Sequence, residues 1–462
     1  MHVYDRKQRD EIDQLVEDFT QHGLSRRAFI QRGLALGLSF GAVGSLLAAC
    51  GGSTSNSSNS TPKSVDVLNV WTGEEQDSFR AVIYPWSVQT GITVNIESTR
   101  DLNTALTTRI QGRNPPDIAI LPNPGKMQQL AMQNHLVPLD QYLDMSQIQQ
   151  EYSKGWIDLG SYNGHLYAIF YKAANKGTVW YNPKQFTANN YQIPSTWQDM
   201  ITLSNTIASS GKFPWSMGTS AGSASGWPAA DWIAQIYLNL NGGEMYDKWV
   251  AHQIPWTDNS IKEAFQMFGQ IVGGNHYING APQSILALDP QTASYKPFSD
   301  PPGAYMYYLG DFTEGFIHNQ FPNLVPGTDF NFFPFPSINA QYAGAVTGGA
   351  DLVTALKDNE AVKMLVQYLS TAAAQEIWVK RGGFTATNKQ VDLNAYPDAV
   401  AQASAKQLTS APLYRFGADD LMPQAVENAF WMATLNFISD QSQLDSILNN
   451  VEGIAQQAYA NQ

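Results

Sequence analysis

From Ser64 onward the apolar and polar positions fall into short runs with a clear period. Val65, Val67, Leu68, Val70 and Trp71 predict a strand; Phe79, Val82, Ile83 and Trp86 then recur at the i, i+3, i+4, i+7 spacing of one helix face, which Gly91 ends. Ile92, Val94 and Ile96 alternate as a second strand, and Leu102, Leu106 and Ile110 make a second helical stripe. After Pro115-Pro116, the run from Asp117 to Leu121 has the continuous character of a buried parallel strand, and Met127, Leu130 and Ala131 begin a third helix beyond Gly125. Three strand-helix units in about 70 residues predict an α/β protein with a parallel sheet covered on both faces.

In such sheets a ligand sits outside the carboxyl ends of the strands, where loops lead into helices. Three loops meet that description: Trp71-Thr72-Gly73-Glu74-Glu75, Ser98-Thr99-Arg100-Asp101 and Pro122-Asn123-Pro124-Gly125. Further on, Lys172 to Gly177 is short and polar between two apolar strand-like runs, which suits a crossing between two lobes. Residues 196–290 are mainly helical, with stripes through Trp197, Met200 and Ile207, through Trp232, Ile233 and Ile236, and through Ile261, Phe265 and Phe268. Between them, Gly218 to Trp227 is a Gly/Ser loop; no Gly-Lys-Ser/Thr follows, so it reads as a pocket-lining loop and not a phosphate cradle. Gly310-Asp311-Phe312 precedes a helix that Asp311 is placed to cap, and the helix holding Ala429, Phe430, Trp431 and Leu435 returns to the second lobe.

The region before this pattern has a different character. Ser25-Arg26-Arg27-Ala28-Phe29-Ile30 leads into an uncharged run that ends in Leu47-Ala48-Ala49-Cys50, the only cysteine, and residues 51–64 are mostly Gly, Ser, Asn and Thr. Basic residues, an apolar core and small residues in that order describe an export signal. The run resembles a bacterial lipoprotein signal with Cys50 as the lipidated residue, and the paired arginines resemble the twin-arginine pattern. Residues 1–49 are therefore expected to be the signal and 50–64 a flexible lipid-anchored tether. The apolar stretch from Gly33 is about 17 residues, short of the roughly 20 that a permanent span needs. Apolar residues at helical spacing in residues 1–24 predict a short amphipathic helix with no assigned role.

The order of several loose motifs carries a resemblance. Trp71-Thr72-Gly73-Glu74, Thr90 to Val94, Pro116 to Ala119, Leu136 to Asp140, Val179 to Asn182, Pro194 to Trp197, Gly348 to Asp351 and Gly382-Gly383-Phe384 with Asn388 resemble family 1 extracellular solute-binding proteins, the maltose-binding-protein-like receptors of ABC importers. The resemblance spans residues 65–462. Gly348-Gly349 and Pro122 to Gly125 resemble the subset that binds α-glucosides. It implies a type II periplasmic-binding-protein-like fold of two α/β lobes with a ligand cleft between them. The first lobe would hold residues 65–172 and 340–400, the second 176–335 and 405–462. It also implies a stacking aromatic at Phe312, and places Thr72, Asp311 and Gly349 at the cleft.

Composition adjusts this picture in a few places. The net charge of −13, from 27 basic and 40 acidic residues, argues against nucleic acid as a partner. The chain has 12 Trp and 21 Tyr, side chains that stack on the apolar faces of sugars while offering a polar edge. Candidate hydrogen-bonding residues are Glu74, Glu75, Arg100, Asp101, Asn123, Lys172, Asn175 and Asp351; candidate stacking residues are Trp71, Trp227, Trp232, Phe312 and Trp431. Trp86 and Trp197 belong to helical stripes and are expected in the core. The seven histidines are scattered, with no His pair at i, i+4 and no cysteine nearby, and there is no Gly-x-Ser-x-Gly elbow; no metal or cofactor is expected and no reaction is assigned. The expected function is capture of a carbohydrate by a monomeric, lipid-anchored, extracytoplasmic receptor that delivers it to ABC-transporter membrane subunits. Two alternatives stand beside it: a secreted glycoside hydrolase, which needs only two carboxylates, and the same fold holding a polyamine or a peptide.

Overall fold

A computed structural model describes residues 64–274 and 276–460. The export signal, Cys50 and the tether up to residue 63 lie outside the described residues. The first strand-helix units form as the periodicity predicts: β1 (Ser64–Asn69), α1 (Glu74–Thr90), β2 (Thr93–Ser98), α2 (Leu102–Gln111), β3 (Ile118–Leu121) and α3 (Pro124–Met132). Gly91 ends α1 at φ 74°, a left-handed conformation that costs glycine little. β1 pairs in parallel with β2 on one side and β3 on the other, so the chain reverses direction across the sheet at β1. Val65 and Val67 of β1 pack into one core with Trp71, Phe79 and Trp378, while Leu68 packs on the opposite face with Leu102, Leu106 and Leu121. Both faces of the sheet are covered.

A small hairpin, β4 (Ser161–Tyr162) with β5 (His165–Leu166), precedes β6 (Ala168–Asn175). Lys172 to Asn175 therefore belong to a strand, and the crossing is only Lys176-Gly177 before β7 (Thr178–Tyr181). The polar side chains that suggested a loop are instead the cleft-facing and paired positions of an otherwise buried strand. The second lobe is built on a four-stranded sheet in the order β10-β7-β9-β8, with β8 at Trp215–Ser216, β9 at Met306–Tyr308 and β10 at Asn331–Pro334. The long helix α4 (Trp227–Val250) supplies Trp232 and Ile236 to its core, alongside Trp215, Phe265 and Phe268, and α5 (Thr313–Gln320) packs beside it through Phe316 and Ile317.

The chain then returns. β11 (Val346–Ala355) runs antiparallel between β3 and β6, α6 (Ala372–Val379) carries Trp378 into the first core, and β12 (Thr385–Ala386) edges β6. α7 (Ala399–Ser410) leads to β13 (Tyr414–Phe416), which pairs in parallel with β11. The larger sheet thus has the order β12-β6-β11-β3-β1-β2 with β13 beside β11. The last crossing follows Phe416 and not residue 405, because Leu408 and Phe416 pack in the first lobe's core. α8 (Ala418–Leu421) sits at the junction, and α9 (Gln424–Ser439) and α10 (Leu444–Ala460) complete the second lobe. Among the described residues no helix is long and apolar enough to cross a membrane.

Candidate functional site

All three loops at the carboxyl ends of β1, β2 and β3 open onto one cavity of about 360 Å³ between the lobes. Trp71, Thr72 and Glu75 follow β1, Arg100 follows β2 and Asn123 follows β3. Lys172, Gly349 and Asp351 enter from the central strands; the Gly/Ser loop, Trp227, Gln291 and Phe312 form the opposite wall; Lys176, Asp419, Asp420, Gln424, Asn428 and Trp431 close the floor. The lobes touch around it. The Ser223 hydroxyl donates to Asp101 across the mouth, and a Cβ on Gly383 would stand 3.5 Å from the Gly315 backbone.

At the first-lobe end a bulge sets the geometry. β11 pairs Asp351 with Lys172 but the next residue, Leu352, with Phe170, so Tyr171 is the extra residue and turns into the core. Lys172 and Asp351 then face the cleft side by side. Lys172 Nζ lies 2.5 Å from Glu75, whose other oxygen meets Arg100 at 2.7 Å. Burial opposes the charge on Glu75, but Lys172 and then Arg100 more than offset it, and its pKa lies below the ordinary glutamate value. Burial pushes Asp351 up to about 6, against the attraction of Lys172 and the Trp71 indole N–H that donates to it at 2.7 Å.

The floor is a second charged cluster, made where the crossings meet. Lys176, in the first crossing, donates to Asp231 of α4 at 2.7 Å and to Asp420 of α8 at 3.3 Å. Asn123 of the first lobe donates to Asp420 at 2.8 Å and also to Glu427. Burial, then the neighbouring acids, raise Asp420 to about 8; burial raises Asp231 to about 7 despite Lys176, and Glu427 lies well above an ordinary glutamate. Lys176 holds two of these acids and Lys126 attracts Glu427, so the carboxylates still outnumber the cations and leave room for a shared proton at neutral pH. Asp419 Oδ2 accepts from the Trp431 indole at 2.7 Å, while Asp419 Oδ1 and Asn123 Oδ1 accept no hydrogen bond from the protein although both residues are buried. A Cβ at Gly349 would stand 3.1 Å from the Lys176 stem, and one at Gly417 2.8 Å from Asp420, so both glycines keep space for this cluster.

The aromatic wall is Trp227 against Phe312, centroids 6.2 Å apart at 51°. Lys176 Nζ is 5.9 Å from the Trp227 ring and Lys172 Nζ 5.6 Å from the Phe312 ring. Trp71 lines the cavity with an edge only, since its ring is packed at 4.8 Å on Trp378 and 4.9 Å on Phe79.

Five of the residues singled out in the sequence stand off the cavity. Trp232 is fully buried between Trp215 and Tyr308, because α4 turns that face inward. Asp311 does not cap α5: its carboxylate accepts from Thr385 and Ser404. Asn175 is buried against Ser404 and Gln407 behind the crossing. Asp101 bonds Ser223 at the mouth, and Glu74 lines a small adjoining recess. The sequence reading missed Lys176, Asp419, Asp420, Gln424 and Asn428. The doubled Asp419-Asp420, set between apolar Ala418 and Leu421, was the visible signal. Trp86 and Trp197 are core residues, as their stripes predict.

A two-lobed α/β molecule with a polar, aromatic-walled cleft at its crossings is the architecture of a receptor that encloses a small solute. The chain belongs to the bacterial extracellular solute-binding protein family, whose model matches residues 72–376. It is 33% identical over 393 residues to the osmoprotective compounds-binding protein GgtB of Synechocystis, covering 84% of this chain and 92% of that one. It is 30% identical over 394 residues to the alpha-glucosides-binding periplasmic protein AglE of Rhizobium meliloti, covering 83% and 85%. Among solved structures the bacterial solute receptor AcbH, described as preferring β-D-galactopyranose, superposes with a TM-score of 0.76 at 20% identity, covering 86% of this chain and 99% of that one.

Proposed function

We propose that this protein captures a neutral carbohydrate of about disaccharide size between its lobes and delivers it to the membrane subunits of an ABC importer. The observation that carries the reading is the pairing of acceptors lacking a protein donor, Asp419 Oδ1 and Asn123 Oδ1, with the Trp227 and Phe312 wall in one cavity. Hydroxyl groups donate to such acceptors, and sugar faces pack on such rings. A cavity of about 360 Å³ lies at the small end of ligand pockets. Relatives named for α-glucosides and for osmoprotective compounds favour an α-glucoside or an osmoprotective solute of similar size.

Trp71, Thr72, Glu75, Arg100, Asn123, Lys172, Trp227, Phe312, Gly349, Asp351 and Trp431 are the proposed ligand-facing residues, joined by Lys176 and Asp419. A polyamine fits less well, because two of the cleft carboxylates already hold cations: Glu75 holds Arg100 and Lys172, and Asp420 holds Lys176. The protein acts as a binding protein and not a hydrolase, as a monomer, lipid-anchored through Cys50 outside the cell membrane after twin-arginine export.

The test is calorimetry of the purified protein against α-linked disaccharides, galactose, polyamines and short peptides, followed by analysis of the recovered sugar. Tight binding of an α-glucoside recovered intact is expected; monosaccharide release would establish a hydrolase, and binding of polyamines or peptides alone would overturn the carbohydrate reading. Phe312→Ala should weaken sugar binding by about 1–3 kcal/mol through lost stacking.

A further inference from the structure

Outside the cleft, side chains from two helices distant along the chain converge on one point. Glu314 and His318 lie one turn apart on α5, so both face the same way. Asp398 is the N-cap of α7, where one carboxylate oxygen accepts from the backbone N–H groups of Val400 at 2.8 Å and Ala401 at 3.0 Å, leaving the other oxygen for a further partner. Ligand atoms from all three residues lie within 4.8 Å of one another. Glu314 is only 2% exposed, and its Oε1 accepts no hydrogen bond while facing His318 Nε2 at 3.9 Å. The His318 ring stands edge-on to Phe330, centroids 5.1 Å apart, which limits its rotation.

We propose that Glu314, His318 and Asp398 bind a single divalent transition-metal ion of the zinc type, clasping α5 to the first turn of α7. One imidazole nitrogen with two carboxylate oxygens is a borderline donor set that suits zinc better than the all-oxygen ions magnesium and calcium. Bonds of about 2.0–2.2 Å would draw the donors to about 3.4 Å apart. His318 and Asp398 are both partly exposed, and small shifts of the two would close that gap. The ion also resolves an electrostatic problem. Glu314 is buried, its Oε1 accepts no hydrogen bond, and a second carboxylate, that of Asp398, stands within reach of it. A divalent cation would satisfy that free oxygen and offset both carboxylates at once.

The position gives the site a structural consequence. Phe316 and Ile317 of α5 pack with Val400 in a second-lobe cluster, whereas the next residues of α7, Ala401 and Ala405, pack in the first-lobe core. The ion would fasten the point where one helix passes from one lobe's packing to the other's. Neither Glu314, His318 nor Asp398 lines the cleft, so the site is separable from sugar capture.

The test uses untagged full-length protein stripped with a chelator and titrated with Co²⁺, whose visible d–d bands report tetrahedral nitrogen and oxygen ligation, with Zn²⁺ as competitor and melting temperature as a second readout. One equivalent of Co²⁺ should give a saturating band that Zn²⁺ erases, and one equivalent of Zn²⁺ should raise the melting temperature. His318→Gln should abolish the band. Asp398→Asn keeps the helix cap, since an amide oxygen still accepts, and should weaken Co²⁺ binding by about tenfold or more; it carries the test alone if His318→Gln does not fold. No saturable band in the parent protein, or a band unchanged in both variants, would overturn the proposal. So would a melting temperature that follows pH but ignores Zn²⁺, which would assign the cluster to a shared proton.

Discussion

Lys176 gathers acids from distant parts of the chain: Asp231 is 55 residues away and Asp420 is 244. Its ammonium is the cation that makes burial of these acids tolerable. Removing one member of a buried charge cluster leaves the others uncompensated, at about 3 kcal/mol or more. Lys176→Met should lose about that much stability at pH 8 in urea unfolding. The loss should be smaller at pH 5, where Asp231 and Asp420, already raised to about 7 and about 8, take protons instead. Equal losses at both pH values would show that Lys176 acts through packing alone. Asp351 gives a cleaner titration. Its folded pKa of about 6 exceeds the reference 3.8, so between about pH 4 and 6 the native state binds a proton that the unfolded chain has released, and stability declines as pH rises through that window. Asp351→Asn keeps an acceptor for the Trp71 indole and should flatten the decline in a series of melts from pH 4 to 6.

At the scale of elements, the parts legible in the sequence were those with local causes. The stripe of Phe79, Val82, Ile83 and Trp86 and the alternation in β2 depend on neighbours, and the loops after β1, β2 and β3 follow from parallel strand order, so half of the cleft could be placed without coordinates. Strand polarity misled where burial and pairing came from far away. Lys172 and Asn175 looked like a linker because the partners that make them strand residues, Asp351 and Gly348, are far along the chain. Asp311 looked like a cap because Thr385 and Ser404 could not be foreseen beside it. The α3–α8 contact is of this distant kind too. A Cβ on Gly125, in the first turn of α3, would lie 2.3 Å from the Met422 carbonyl, just past α8. Backbone cannot yield as a flexible side chain does, so Gly125→Ala should wedge the helices apart. The variant should remain folded but lose the compaction that saturating ligand produces in the parent protein, measured as radius of gyration by small-angle X-ray scattering; normal compaction would show that α3 and α8 adjust without separating.

For the whole molecule, the relevant quantity is how far a ligand shifts an open-to-closed equilibrium, and that shift cannot exceed the difference in its contacts with the two states. The described arrangement is closed, with first-lobe Asn123 bonded to Asp420 and Glu427 beyond the crossings and the mouth tied by Asp101 and Ser223. Contacts at the mouth exist only after closure, so they should slow escape of ligand and leave entry nearly unchanged. The Asp101–Ser223 hydrogen bond is solvent-exposed and is worth about 0.5–1.5 kcal/mol, a roughly 2- to 10-fold change in dissociation rate. Because one bond joins the two residues, Asp101→Ala, Ser223→Ala and the double variant should accelerate dissociation by similar factors. Multiplicative effects would indicate separate roles. Stopped-flow tryptophan fluorescence measures both rates, since Trp227 and Trp431 line the cavity and report its occupation. If all three variants released ligand at the parent rate, the tie at the mouth would contribute nothing to closure. Retention would then rest on the floor around Lys176, and its variants should show the acceleration instead.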